Sequence, residues 1–268
     1  MNKRVHEEPA FVLHRHDWSE SSLILEVFSR HHGRVALVAK GVKRPTSQFR
    51  SVLLALLPLH LSWGGAAEVR TLKAAQWQGG QLLPPSDALL AGYYLNELLL
   101  KLLAREDPHP VLYDHYAQAL ALLAAGAPQA GVLRAFELLL LRELGWLPAL
   151  HYEAASLQAL RPESRYQLQA QGGLREVAAP TVSAGLQGDG GDAACSADHW
   201  LALHAALQQV SVWTFLLPLC QQDRSGALRR QLRAALHYHS GVREFQTRRW
   251  AQQLQRFVGS RVAAEVPV

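Results

Sequence analysis

Between residues 9 and 77 the apolar positions fall in short runs with a period of two. Ala10-Phe-Val-Leu13, Ser22-Leu-Ile-Leu-Glu-Val-Phe28, Arg34–Lys40, Val52–Trp63 and Glu68–Ala75 are rich in branched and large apolar side chains, as strands are. Turn formers separate them at Asp17-Trp-Ser-Glu20, His32-Gly33, Gly41–Ser47 and Gly64-Gly65. In the third run the alternation puts Val35, Leu37 and Ala39 on one face and Arg34, Ala36, Val38 and Lys40 on the other. Five such strands with no helical stretch among them predict a small closed barrel, for which an oligonucleotide-binding (OB) fold is the natural candidate. A β-sandwich fragment is the alternative, but closure removes the exposed edges that a fragment would keep.

At Leu82-Leu-Pro-Pro-Ser86 the period changes to that of a helix. Asp87–Arg105 repeats Leu90, Tyr94, Leu98 and Leu102, and after Asp107-Pro-His-Pro110 comes Val111–Ala125. Gly126-Ala-Pro128 precedes Gln129–Leu144, which stops at Gly145. Short connections between helices of this length predict antiparallel neighbours in a bundle. Arg165–Gln169 with Gly172-Gly173 reads as a strand and turn, and Gly185–Asp192 is rich in Gly and Asp. Helices resume over Ala197–Cys220, Gly226–His239 and Val242–Val258. The expected class is therefore α+β. A five-stranded OB barrel over residues 1–80 precedes a mostly helical domain over 81–268, with a poorly ordered or hairpin-containing insert around 150–195.

Charge gives the barrel a purpose. The chain of 268 residues carries a formal charge of +5, distributed as +5 over residues 1–80, −6 over 81–220 and +6 over 221–268. Between Arg30 and Arg50 there are basic side chains (Arg30, Arg34, Lys40, Lys43, Arg44, Arg50) and no acidic one. Such a run suits a polyanion, nucleic acid first of all, because phosphate affinity follows local cation density. Arg34, Lys40, Lys43, Arg44 and Arg50 are the expected contacts on the barrel. The last helices are basic too: Arg224, Arg229, Arg230, Arg233, Arg243, Arg248 and Arg249 face Asp223 and Glu244. Arg229, Arg233 and Arg248 are candidates to extend a phosphate track, with Trp250 available for stacking. For each of these cations a solvated surface charge is the plain alternative.

Other chemistry finds little support. Two cysteines, Cys195 and Cys220, fit a reducing compartment and exclude a disulfide framework or a four-cysteine zinc site. The thirteen histidines show no HExxH or other ligand spacing, although Cys195 and His199 could share a helix face. No phosphate-binding loop, dinucleotide fingerprint or nucleophile elbow is present. No cofactor is expected. No apolar stretch reaches the length of a membrane span and no secretory h-region follows the first charges, so a cytoplasmic protein is expected. The weight falls on binding, with a metal- or nucleotide-dependent enzyme built on scattered histidines, or a protein-only adaptor, as the alternatives. On Gln129–Leu144 the core stripe is expected to be Leu133, Phe136, Leu140 and Leu144, which leaves Arg134 beside exposed Leu138 and Leu141. Such an arginine could hold a carboxylate next to an apolar anchor, or pair with Glu137, or lie over the core by its stem.

Ala10-Phe-Val-Leu-His14, Trp18-Ser-Glu-Ser-Ser-Leu23, Gly33-Arg-Val-Ala-Leu-Val-Ala-Lys-Gly41, Tyr94-Leu-Asn-Glu-Leu-Leu99, Leu133-Arg-Ala-Phe-Glu-Leu138 and Leu144-Gly-Trp146 stand in an order that resembles the RecO family of bacterial DNA-repair proteins, from residue 9 to about 255. The resemblance implies an OB domain followed by a helical domain, and a recombination mediator rather than an enzyme. Such a protein binds single- and double-stranded DNA, anneals complementary strands, engages the acidic C-terminal tail of single-stranded-DNA-binding protein (SSB), and works with RecR to load RecA. By this resemblance Arg134 is the tail-binding arginine, with Leu123 and Leu133 among the leucines of its apolar pocket, and the protein acts at the nucleoid. Some members carry a four-cysteine zinc module after the glycine–tryptophan pair. Here that position reads Leu150-His-Tyr-Glu153, so no structural zinc is expected.

Overall fold

The computed structural model describes residues 4–177, 194–223 and 225–254; Arg224, the Gly/Asp-rich stretch within 178–193 and the expected helix end beyond 254 lie outside the described residues. Two compact units are present: Met1–Gly126 with Arg243–Val268, and Ala127–Val242.

In the first unit β1 (Arg4–Asp17), β2 (Leu23–Ser29), β3 (Gly33–Ala39), β4 (Leu59–Gly64) and β5 (Val69–Trp77) close into a barrel in the order β1-β2-β3-β5-β4. β3 and β5 pair in parallel and the other neighbours are antiparallel, giving the OB architecture expected from the alternation. Val35, Leu37 and Ala39 point into the core with Val12, Leu25, Val27, Leu61 and Trp63. β1 serves two neighbours, β4 with its first half and β2 with its second, and it bends where the registers shift, at Val5/Glu8 and at Val12/His14.

The second bulge has a structural use. The Leu13 carbonyl accepts a hydrogen bond from Asn96 Nδ2 (2.9 Å), and the Asn96 carbonyl oxygen accepts one from the Tyr116 hydroxyl. Asn96 lies on α1 (Ser86–Leu102) and Tyr116 on α2 (Pro110–Ala124). Phe11 and Phe28, which face outward from the barrel, pack on Tyr113 and Tyr116 of α2. The two helices thus close over the outer barrel face through one buried polar relay and an aromatic cluster.

One expected strand is shorter than its composition suggests. Val52–Trp63 becomes a strand only from Leu59. Before it, Leu56 takes a left-handed conformation (φ 69°) and its side chain is buried. A Cβ on Gly92 of α1 would lie 2.7 Å from Leu56 Cδ1, so this leucine is a wedge under α1 rather than a strand residue.

In the second unit α3 (Gln129–Glu143) packs with α5 (Val212–Gln221) and α6 (Ala227–Ser240). β6 (Arg165–Gln169) and β7 (Gly173–Val177) form the expected hairpin, with Gly173 at φ 67°, and β8 (Cys195–Ser196) adds to β6. Cys195 therefore sits on a strand, not on a helix face with His199. The single helix expected over Ala197–Cys220 is two, α4 (Ala197–Leu207) and α5. They break at Gln208-Gln209-Val210-Ser211, where Gln208 and Gln209 make three-residue turns and Val210 is fully exposed. α3 ends at Gly145 (φ 71°), after which the Trp146 and Leu147 amides return to the Leu141 carbonyl and Trp146 stacks on His239 at 4.5 Å. At Leu150-His-Tyr-Glu153 the Glu153 carboxylate accepts bonds from the Ser156 amide and hydroxyl and ties a turn.

Candidate nucleic-acid interface

A cleft of about 440 Å³ opens where β1 ends, β2 begins and the β3–β4 connection passes. Arg15, Asp17, Leu23, Val42, Lys43, Arg50 and Leu53 line it. Lys43 is held in place by Asp17 Oδ1 (2.7 Å) and by donating to the Ser19 carbonyl (3.0 Å). Arg15 reaches the Leu53 carbonyl at 3.4 Å, and Arg50 is exposed. Lys40 and Arg44, on the same stretch of chain, are exposed as well. Three cations against one carboxylate, over an apolar floor of Leu23, Val42 and Leu53, suit a phosphodiester chain with a base or sugar lying inward.

Arg34 belongs to a different environment. It stands at the opposite end of β3 from Lys40, about 20 Å away at the usual rise of a strand. Its guanidinium donates to the Leu100 carbonyl of α1 (2.6 Å), and burial among its neighbours holds its pKa below the usual arginine value. It ties β3 to α1.

This second end of β3 is covered. Gly33 adopts φ 65°, and a Cβ there would lie 2.1 Å from the carbonyl oxygen of Asp107, because the connection from α1 to α2 crosses it. The Glu106 amide donates to the Arg34 carbonyl (3.0 Å). Around it the cations are matched: Arg30 with Asp114 by two bonds (2.9 and 2.8 Å), Arg105 with Glu26 and Glu68, and Arg70 with Glu106. The bond from Arg30 holds the Asp114 carboxyl below its ordinary pKa and Arg30 above its own. His31 likewise sits on the buried Glu8 through its amide (2.6 Å) and ring (3.1 Å).

A further set of cations belongs to the same unit as the barrel. Residues 246–254 are helical and carry Arg248, Arg249 and Trp250. Their start is capped from α1: Glu97 Oε1 accepts the Gln246 amide (2.7 Å), and Oε2 accepts the Thr247 amide (2.9 Å) and hydroxyl (2.7 Å). Phe245 packs edge-on to Tyr94, one turn before Glu97. A buried carboxylate thus satisfies amides that no local side chain caps. Arg248 is half-buried while Arg249 and Trp250 are exposed. Arg229 and Arg233 lie one turn apart on α6, in the second unit; Arg229 is exposed and its amide, with that of Leu228, is capped by Asp223.

The surroundings of Arg134 differ from expectation. α3 is buried all round from Arg134 to Leu141, with Leu138 and Leu141 at 0% exposure rather than on the surface. Arg134 itself is 8% exposed and forms an ion pair with Glu137. Leu133 is half-buried; Leu123 is buried on α2 in the first unit. Burial pushes the thiol of nearby Cys220 well above its ordinary pKa and that of Cys195 up to about 12, so both remain thiols. Among the described residues no three His, Cys, Asp or Glu side chains come together as metal ligands would, and no helix is long and apolar enough to cross a membrane.

Arg15 and Glu97 were missed from the sequence. Arg15 follows the bulge at Leu13, which no residue type announces. Glu97 acts on residues 149 and 150 positions away.

Comparison with known proteins bears on both units. Residues 1–80 match the family described as "Recombination protein O N terminal", and residues 86–247 match "Recombination protein O C terminal". The chain is 52% identical over 255 residues to "DNA repair protein RecO" of Albidiferax ferrireducens, covering 94% of this chain and 97% of the relative. It is 52% identical over 256 residues to the protein of that name from Polaromonas naphthalenivorans (95% and 98% covered), and 51% over 261 residues to that of Variovorax paradoxus (94% and 97%).

Proposed function

The chain belongs to the RecO family of DNA-repair proteins, and from that premise we propose that it is a recombination mediator rather than an enzyme. It binds single- and double-stranded DNA, anneals complementary strands, holds the C-terminal tail of SSB, and with RecR promotes RecA loading on SSB-coated single strands, at the nucleoid. The observation that carries the DNA-binding part is the open cleft with Arg15, Lys43 and Arg50 at one end of an OB barrel. Lys40 and Arg44 flank it along the chain, and Arg229, Arg233 and Arg248 are further phosphate contacts. Arg34 takes a supporting role, since its guanidinium is spent on α1.

For the tail, Arg134 is the carboxylate anchor and Leu133 the leucine with surface to offer; Leu123 is a further candidate. Glu137 occupies the Arg134 guanidinium in the structure, so the incoming carboxylate exchanges with it. An SSB C-terminal peptide titrated against wild type, Arg134→Ala and Glu137→Gln tests this. The Arg134→Ala protein should lose at least about tenfold in affinity, as a charge-assisted bond is lost, and Glu137→Gln should bind more tightly because a competing carboxylate is gone. Equal affinities for all three would retire Arg134.

A further inference from the structure

We propose that Trp18 is a base-stacking platform at the rim of the cleft, and that it gives the cleft its preference for single strands over duplex. This rests on the reading of the cleft as a DNA path and adds the group that distinguishes the two kinds of DNA.

Trp18 is 66% exposed, against 48% for Trp77 and 49% for Trp250. An exposed indole on a loose loop would be unremarked, because the loop could fold it away. This one stands on a clamped turn. The amides of Trp18 and Ser19 both donate to the Ser22 carbonyl (3.2 and 3.4 Å). From the β3–β4 connection, the Gly41 amide donates to the Ser22 hydroxyl (3.4 Å) and the Lys43 amide to the Ser21 carbonyl (3.0 Å). The Lys43 ammonium then crosses to the Ser19 carbonyl. The backbone is fixed on both sides and the ring is left in water.

Its chain neighbour Asp17 lines the cleft, and so does Lys43, which holds Ser19. The turn that carries the indole is therefore joined to the cleft's lining on both sides, by Asp17 before it and by the Lys43 ammonium on the Ser19 carbonyl after it. Cations attract any phosphate chain and do not distinguish one strand from two. An aromatic ring does, because a paired base has both faces occupied within the stack while an unpaired base has a face to offer. The cationic lining, with Asp17 as its one acid, selects a nucleic acid over an apolar peptide as the occupant.

The test compares wild type, Trp18→Ala and Trp18→Phe for binding to a thymidine homopolymer and to a duplex of equal length. Trp18→Ala should bind the single strand about tenfold more weakly, the loss expected from one stacked base, and the duplex unchanged. The slope of affinity against salt should not move, since no cation is removed, and Trp18→Phe should restore most of the loss. Wild-type protein titrated with the same strand carrying abasic sites provides a second arm that needs no variant, with a similar loss expected. Unchanged single-strand affinity in Trp18→Ala, equal losses on both DNAs, or full affinity for the abasic strand would each overturn the proposal. If wild type binds no DNA at all, the reading of the cleft falls with it; if it binds DNA and only Trp18 is indifferent, that reading stands.

Discussion

β3 has a glycine in the left-handed region at each end, Gly33 at φ 65° and Gly41 at φ 68°, and cations beyond each. At the Gly33 end the α1–α2 connection lies on the backbone, and Asp114, Glu26, Glu68 and Glu106 take up Arg30, Arg105 and Arg70. At the Gly41 end a Cβ added to the glycine would meet nothing nearer than the Arg44 side chain at 3.7 Å, and cations line a cleft with one carboxylate. The run from Arg30 to Arg50 contains no acid in sequence, yet at its first end Arg30 is neutralised in space by Asp114 from elsewhere in the chain, as the neighbouring Arg70 and Arg105 are by Glu106, Glu26 and Glu68. Where a fold brings matching acids, arginines fasten elements together; where cations outnumber the acids brought to them, they are available to a ligand.

The glycines give the largest expected effect. Gly33→Ala forces a Cβ into the Asp107 backbone and should cost about 3 kcal/mol or more in stability, read as a lower denaturant midpoint. Gly41→Ala meets only the backbone penalty and should cost about 1 kcal/mol. Similar costs for the two would mean that the Gly33 end is not covered as described.

The terminal cations come next. Glu97→Ala should release the start of the 246–254 helix and cost about 2 kcal/mol, as a buried multiple cap would. Hydrogen exchange at the Gln246 and Thr247 amides should quicken by more than that at β3. Unaltered protection at those two amides would contradict the capping geometry.

The smallest effect is one of pH. The folded pKa of Asp114 is depressed by Arg30, so the pair stabilises above the unfolded value of about 3.8 and its contribution is lost as pH falls through the lower, folded value. Both side chains are more than a third exposed, so the loss is a few tenths of a kcal/mol at most. Arg30→Ala should flatten this part of the acid-unfolding curve; a curve identical to wild type would assign no stability to the pair.

Much of this was legible in the sequence. Alternation placed the five barrel strands and the inward Val35, Leu37 and Ala39, because a closed sheet turns period two directly into inside and outside. Proline and glycine placed α1, α2 and α3. What failed was whatever depends on distant partners. Leu53 and Leu56 look like strand residues and are core wedges on irregular chain. Leu138-Leu-Leu-Leu141 is apolar in every direction, the mark of a helix buried all round, and this burial leaves Leu138 and Leu141 no surface beside Arg134. The motif Tyr94-Leu-Asn-Glu97 was visible as a pattern; only the structure gives it reasons, Asn96 for the Leu13 bulge and Glu97 for the terminal helix.

The most direct measurement compares the two ends of the barrel by the salt dependence of single-strand binding. Arg15, Lys43 and Arg50 are replaced by alanine in one protein, and Arg30 and Arg70 in another. The first should lower the slope of log affinity against log salt by about 2, three phosphate contacts at about 0.7 each, while the second keeps the wild-type slope. Equal losses at both ends, or none at the cleft, would contradict the account.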